Sequence, residues 1–165
     1  YKELDTHPNV INHVKKVNQV AVFLAKKLKE EGIEINVELV DKASLLHDLD
    51  KWLCINDKSI KHGYETEKIL TKKGYPELGH YAKQHVLDFA LEGYSTWEEK
   101  VIRYADMRVL NDKITSLKHR MDYILIRYAD KYSHLEKELR DALFKLEQEL
   151  FSKLDFKPEK IITFF

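Results

Sequence analysis

The sequence predicts an all-α fold, a helical bundle built as one domain, and three observations carry that prediction. Only five glycines and three prolines interrupt 165 residues. Apolar residues recur at spacings of three and four, the period of a helix with one buried face. Capping residues stand where those periodic runs begin and end. At 44% hydrophobic and 34% charged, the chain is rich in charge yet long enough to bury a substantial core.

The first helix is expected from about Pro8 to Glu31. Pro8 suits a first turn and Gly32 the position just past a C-terminus, and Val10, Val14, Val17, Ala21, Leu24 and Leu28 form an apolar stripe with His13 on or beside it. Asn36 suits the N-cap of a second helix, whose Val40, Ala43 and Leu46 face inward before His47 and Asp48 arrive at its C-terminal end. Trp52 to Lys61 reads as a loop or short turn, and His62-Gly63 leads into a third helix ending near Gly74. Pro76 opens a fourth, with Leu78, Tyr81, Ala82, Val86 and Phe89 on its buried face. His85 shares that face, whereas His80 falls among Lys83, Gln84 and Asp88.

Ser95-Thr96-Trp97-Glu98 has capping-box spacing for a fifth helix, whose Ile102, Ala105 and Val109 point inward with Asp106 among them. Helix is expected again from about Thr115 to Leu154, with one break near Asp130 to Ser133. Its strip of Met121, Leu125, Tyr128, Tyr132, Leu135, Leu139, Ala142 and Leu146 needs cover. The domain itself can supply that cover, or a second subunit can, which would make a homodimer through the C-terminal helices. The tail from Phe156 to Phe165 shows no clear period.

Acidic and basic residues cancel at 28 each. That removes the positive excess that marks a nucleic-acid or anionic-membrane binder, so neither partner is expected. No stretch approaches the roughly 20 apolar residues of a membrane span, and the N-terminal stretch lacks the regions of a signal peptide. The lone Cys54 excludes an internal disulfide and a cysteine-based zinc cluster. It fits a reducing compartment, and a cytoplasmic protein is expected.

Ionisable side chains on apolar faces point to chemistry. Burying a carboxylate is costly unless it is paired, hydrogen-bonded or bound to metal. A single histidine on such a face needs no special explanation, and His7, His80, His119 and His134 are read as exposed or structural. His13, His47, Asp48 and Asp106 lie on three different helices and are explained together if they meet at one metal. Adjacent helical residues diverge by about 100°, so His47 and Asp48 converge only on a site off the edge of their helix.

Imidazole and carboxylate donors without thiolate favour Mn, Fe, Co, Ni, Zn or Mg. Such an ion generates hydroxide from its water at neutral pH and neutralises phosphoryl charge. Hydrolysis of a phosphoester or phosphoanhydride by a metal-bound hydroxide is therefore the expected reaction. Lys51, three residues past Asp48, and Arg108, two past Asp106, are candidates to bind the phosphate. The alternative for both is a solvated surface cation.

Three segments resemble the HD-domain metal-dependent phosphohydrolase superfamily, over most of residues 8 to 112. His13-Val14-Lys15-Lys16-Val17 with Ala21 is similar to its first-histidine helix, Leu46-His47-Asp48-Leu49-Asp50-Lys51 to its His-Asp-x-x-Lys core, and Tyr104-Ala105-Asp106 to its final aspartate. The resemblance implies an HD-type helical bundle, with the long C-terminal helices as an extension beyond its minimal core. It makes His13, His47, Asp48 and Asp106 the primary metal ligands. His62-Gly63 and His85 match the extra histidines of members that hold two ions, among them the bacterial diadenosine tetraphosphate hydrolases, in which the counterpart of Asp48 bridges the ions. One or two divalent ions and a small phosphorylated substrate, a nucleotide, follow as expectations.

Asp50 departs from the family, which commonly has glycine or a small residue there. It either alters the loop or adds a carboxylate near the substrate. The competing reading is a catalytically silent nucleotide-binding or oligomerising module that keeps fold and metal. No ligand position is missing, which favours the enzyme.

Overall fold

Helix α1 (Pro8–Glu30) is the axis of the molecule, whose computed structural model describes residues 1–165 throughout. His7 caps it by accepting the Asn9 N–H at Nδ1, 3.2 Å away, and Pro8 fills a first-turn position that needs no donor. The helix stops before Gly32, whose φ of +83° is costly for any residue with a Cβ. Val14, Val17, Val20, Ala21, Leu24, Ala25 and Leu28 are all at most 1% exposed. The stripe read from the sequence is therefore a face buried along its length, except for half-buried Val10.

Helices α2 (Val37–Leu46) and α6 (Trp97–Asp106) pack along α1 and against each other. Between them in sequence lie α3 (Lys51–Asn56), α4 (Tyr64–Lys72) and α5 (Pro76–Gln84); α4 packs against α5, and α5 against α2. After α6 comes a hairpin of β1 (Val109–Leu110) and β2 (Lys113–Ile114), then α7 (Leu117–Arg127), α8 (Ala129–Tyr132) and α9 (Glu136–Phe151). The fold is all-α as expected, and this two-stranded hairpin is its only sheet. One contiguous apolar cluster runs from α1 through α6 to α7, α9 and Ile161 in the tail.

Several boundaries differ from the sequence reading for identifiable reasons. Residues read as a loop after Trp52 begin with α3, which contains no buried residue and so shows no apolar period. The α5 face was expected to continue to Val86 and Phe89, but the helix ends at Gln84. There, His85 Nδ1–H donates to the Ala82 carbonyl and the Arg103 guanidinium donates to the His85 carbonyl. Side chains thus satisfy the last carbonyls, and the chain leaves through an extended Val86 into a 3₁₀ turn at Leu87–Phe89.

The capping box sits one residue later than read. Thr96 accepts the Glu99 N–H, and Glu99 accepts those of Ser95 and Thr96. Glu98 instead accepts the Asn36 N–H at 2.7 Å. Val109, which its spacing puts on the fifth helix, lies in β1, because Asn111, at φ +57°, turns the chain back on itself.

The C-terminal strip is covered by the domain itself. Met121, Leu125, Tyr132, Leu139 and Leu146 belong to the same cluster as α1, so no second subunit is needed to bury them. Exposed Tyr128 departs from the strip because the helix breaks there. The tail without a period is a 3₁₀ run from Pro158 to Phe164, which inserts fully buried Ile161 into the core.

Leu139→Ala and Ile161→Ala should each cost about 2–5 kcal/mol, the usual range for a buried aliphatic truncation. Urea unfolding followed by circular dichroism should show that loss in one cooperative transition. A separate early transition for the C-terminal helices would show that they form an independent unit.

Candidate metal centre

Four imidazoles meet where the ends of α2, α5 and α6 converge beside α1, and each is fixed through Nδ1. His47, at the C-cap of α2, donates from Nδ1 to the Ser44 carbonyl at 2.7 Å. His85, at the C-cap of α5, does the same to the Ala82 carbonyl. His13, on α1, reaches across to the Asn111 carbonyl at the hairpin tip, 2.7 Å away. His62, just before α4, uses a carboxylate instead, Asp50 Oδ1 at 2.7 Å. An Nδ1–H committed to an acceptor leaves Nε2 as the free lone pair of a neutral ring.

Those four Nε2 atoms surround two carboxylates. Asp48 Oδ2 lies 4.0 Å from His13 Nε2 and 3.8 Å from His47 Nε2. Its Oδ1 lies 3.2 Å from His62 Nε2 and 3.4 Å from His85 Nε2. The two oxygens of one carboxylate thus face two different pairs of histidines. Asp106, the last residue of α6, joins the first pair, with Oδ1 3.1 Å from His13 Nε2 and 4.0 Å from His47 Nε2.

Ligand atoms of His13, His47 and Asp48 lie within 4.8 Å of one another, as do those of Asp48, His62 and His85. A third such group is Asp50, Cys54 and His62. All six ligand candidates read from the sequence are therefore brought together.

The donor set fits a divalent ion. His47 is fully buried, and its Nε2 has no hydrogen-bond partner. Leaving a buried polar atom unpaired costs about 1–3 kcal/mol, a cost removed when the lone pair meets a cation. His13, His47, Asp48 and Asp106 would hold one ion, and Asp48, His62 and His85 a second. The rings are already oriented by their Nδ1 bonds, the outer-shell support that metal-binding histidines commonly have.

The charges are mutually adjusted. Burial pushes the His47 pKa down to about 4, so this ring is neutral at physiological pH. Burial also opposes charge on His13, but the hydrogen bond and charge of Asp106, with Asp48 behind it, outweigh that and raise its pKa. For His62, burial and Lys51 act downward, while hydrogen bonds to Asp48 and Asp50 carry it well above its ordinary value. Asp48 is held well below the usual carboxylate range: burial is overcome by Lys51 and the surrounding imidazoles. Asp106 is held low likewise by His13 and Arg120.

Of the two phosphate-binding candidates, Lys51 points into the cluster, its Nζ 3.4 Å from His62 Nε2. Arg108 does not take that role. Only 3% exposed, it donates to the Thr115 carbonyl at 2.7 Å, the Tyr104 hydroxyl and the Pro158 carbonyl at 3.1 Å, bracing α6, β2 and the tail. The cation that sequence reading missed is Arg120 on α7, whose guanidinium lies 3.7 Å from Asp106 Oδ1 and keeps an unpartnered, buried Nε. Its position beside buried Met121 is the only trace in the sequence, since no spacing links α7 to Asp106.

Asp50 has no exposure to solvent and spends its carboxylate on His62, Gly63 and Thr66. It is an internal anchor of the segment before α4, which favours the altered loop over the carboxylate near the substrate. Exposed His80 pairs with the buried Glu99 carboxylate, 3.1 Å away, as suits a structural histidine.

The sequence pattern of the HD domain matches residues 10–133, three quarters of the chain. The chain belongs to the HD domain family. Members of that family are generally metal-dependent phosphohydrolases, and the cluster of histidines and aspartates described above could hold a metal. An uncharacterized protein of Methanocaldococcus jannaschii is 31% identical over 119 residues, an alignment covering 64% of this chain and 69% of that one. No solved structure matches. No helix is long and apolar enough to cross a membrane.

Because His13 and His62 hold protons above their ordinary pKa in the metal-free protein, an ion must displace those protons to bind. Affinity should therefore rise as the pH rises above the ordinary histidine range, with proton release. Calorimetric titration with Mn²⁺ in two buffers of different ionisation enthalpy checks both. Binding that ignores pH and buffer would contradict this picture.

Proposed function

We propose that this HD-domain protein hydrolyses a phosphoester or phosphoanhydride bond of a small substrate, with nucleotides as the substrate class. The observation that carries the reading is the convergence of four anchored imidazoles on Asp48, with Lys51 and Arg120 beside them. Three buried carboxylates at the centre, Asp48, Asp50 and Asp106, are offset by three cations, Lys51, Arg103 and Arg120. Each divalent ion would therefore bring two positive charges that the protein does not cancel. An anion completes the site, and phosphoryl groups supply the right charge and acceptor geometry.

A divalent ion held by these residues would lower the pKa of a bound water toward neutrality and withdraw charge from a phosphoryl oxygen, and two ions would stabilise both the attacking water oxygen and the leaving oxygen. The chain's own groups do the positioning. Lys51 contributes a compact charge on a long stem. Burial acts against that charge, but Asp48 more than compensates and holds the pKa of Lys51 above its ordinary value, so it stays protonated. Arg120 offers a planar fork suited to two phosphate oxygens, and Tyr123 supports it with the guanidinium carbon 5.7 Å from the ring centre. Asp48, presenting one oxygen to each histidine pair, sets the spacing of whatever the two pairs hold.

The test is hydrolysis of mono-, di- and dinucleoside polyphosphates by purified protein with Mn²⁺, Co²⁺ or Ni²⁺. Asp48→Ala should abolish turnover and metal content together. Lys51→Ala and Arg120→Ala should keep the metal and raise KM tenfold or more. Arg108→Ala should instead cost stability, about 1–3 kcal/mol for the buried acceptors it leaves unpaired. Bound metal with an intact panel of substrates would replace this reading by that of a silent nucleotide-binding or oligomerising module.

A further inference from the structure

We propose that Asp50 is the positioning residue of the second half of the centre, fixing the His62 ring so that a second divalent ion is held by Asp48, His62 and His85. The inference rests on the two-ion reading of the cluster. Three of the four imidazoles take their Nδ1 acceptor from backbone that is already fixed, the carbonyls of Ser44, Ala82 and Asn111. His62 has no such carbonyl. It lies in the segment between α3 and α4, and its side chain is 23% exposed where the other three are at most 10%. The ring with the least packing around it is thus the one anchored by a side chain.

Asp50 is built for that task. Fully buried, it gives Oδ1 to the His62 Nδ1–H and Oδ2 to the N–H groups of Gly63, at 2.7 Å, and Thr66, at 3.0 Å. Its own N–H donates to Thr66 Oγ1 at 3.1 Å. The N-cap of helix α4 is Gly63, which has no side chain to cap it, and the position cannot acquire one. Its φ is +82°, and a Cβ there would stand 2.5 Å from Val86 Cγ2.

The capping carboxylate therefore comes from the turn after α2, the turn that also carries Asp48. One short segment supplies both the shared carboxylate and the anchor of His62, which sets the 3.2 Å between Asp48 Oδ1 and His62 Nε2. A carboxylate on the far nitrogen of a ligating imidazole fixes its tautomer and raises its basicity, and losing such a partner typically weakens metal binding about 10–100-fold.

Co²⁺ titration followed by d–d absorption separates the two halves. Wild type should take up two equivalents and His62→Ala one. Asp50→Asn, which keeps the volume and removes the charge, should leave the first equivalent unchanged and weaken the second about 10–100-fold. Circular dichroism and thermal unfolding establish that the variant is folded.

An Asp50→Asn protein that binds the second ion like wild type, while His62→Ala loses it, would overturn the proposal and leave the two-ion reading standing. Equal weakening of both steps would also overturn it, as a general structural effect. A wild-type protein that binds one ion regardless of His62→Ala would remove the two-ion reading and the proposal together. Independently of any Asp50 variant, the ring N–H proton NMR signal of Co²⁺-loaded wild type that disappears in His62→Ala should exchange slowly with solvent. Rapid exchange would mean that Asp50 does not hold it.

Discussion

The nearly inaccessible carboxylate of Asp48 dictates where everything around it must stand. A buried anion persists only where charge and hydrogen bonds replace the water it has lost, and Asp48 draws these from His13 on α1, His47 on α2, His62 before α4, His85 after α5 and Lys51 on α3. Helices α1 and α2 have their own apolar reason to be where they are, the buried face of α1 and its contacts with α2 and α6. The ionic centre and the core consequently specify the same arrangement. Neither could shift by a turn of helix without exposing the other.

The division of labour within each histidine ring follows from that constraint. Nδ1 is spent on structure and Nε2 is left for chemistry, so the ligand atoms need little reorganisation when a cation arrives. The arrangement also explains a mixture of charge states in the metal-free cluster. His47 has no anion close enough to offset its burial and stays neutral, whereas His13 and His62 each sit against a carboxylate and retain protons.

Much of this was legible in the residues because it depends on helical period. The α1 stripe, the end of α2 at His47-Asp48 and the inward face carrying Asp106 all follow from spacings of three and four. What escaped depends on contacts between distant segments. Helix α3 buries nothing and so has no period. Arg108 and Arg120 are equally good cations on paper, and only the packing of Thr115, Tyr104 and Pro158 around one of them decides which is left for the site. Asp50 was legible as an oddity, but its acceptors' partners lie 12 to 16 residues away on a turn whose geometry the sequence does not spell out.

Arg108 has a consequence for how the protein is made. Its guanidinium joins the end of α6, which bears Asp106, to the carbonyl of Pro158 near the C-terminus. The hairpin that begins at Val109 and presents the Asn111 carbonyl to His13 is braced by the same group through Thr115. A chain emerging from the ribosome can form α1, α2 and their apolar contact early, yet this brace lacks one of its acceptors until Pro158 has appeared. The first histidine and the last aspartate of the centre therefore gain their final support only after the segment around Pro158 has been made and folded back, which defers a finished metal site until the surrounding core is there to shield it.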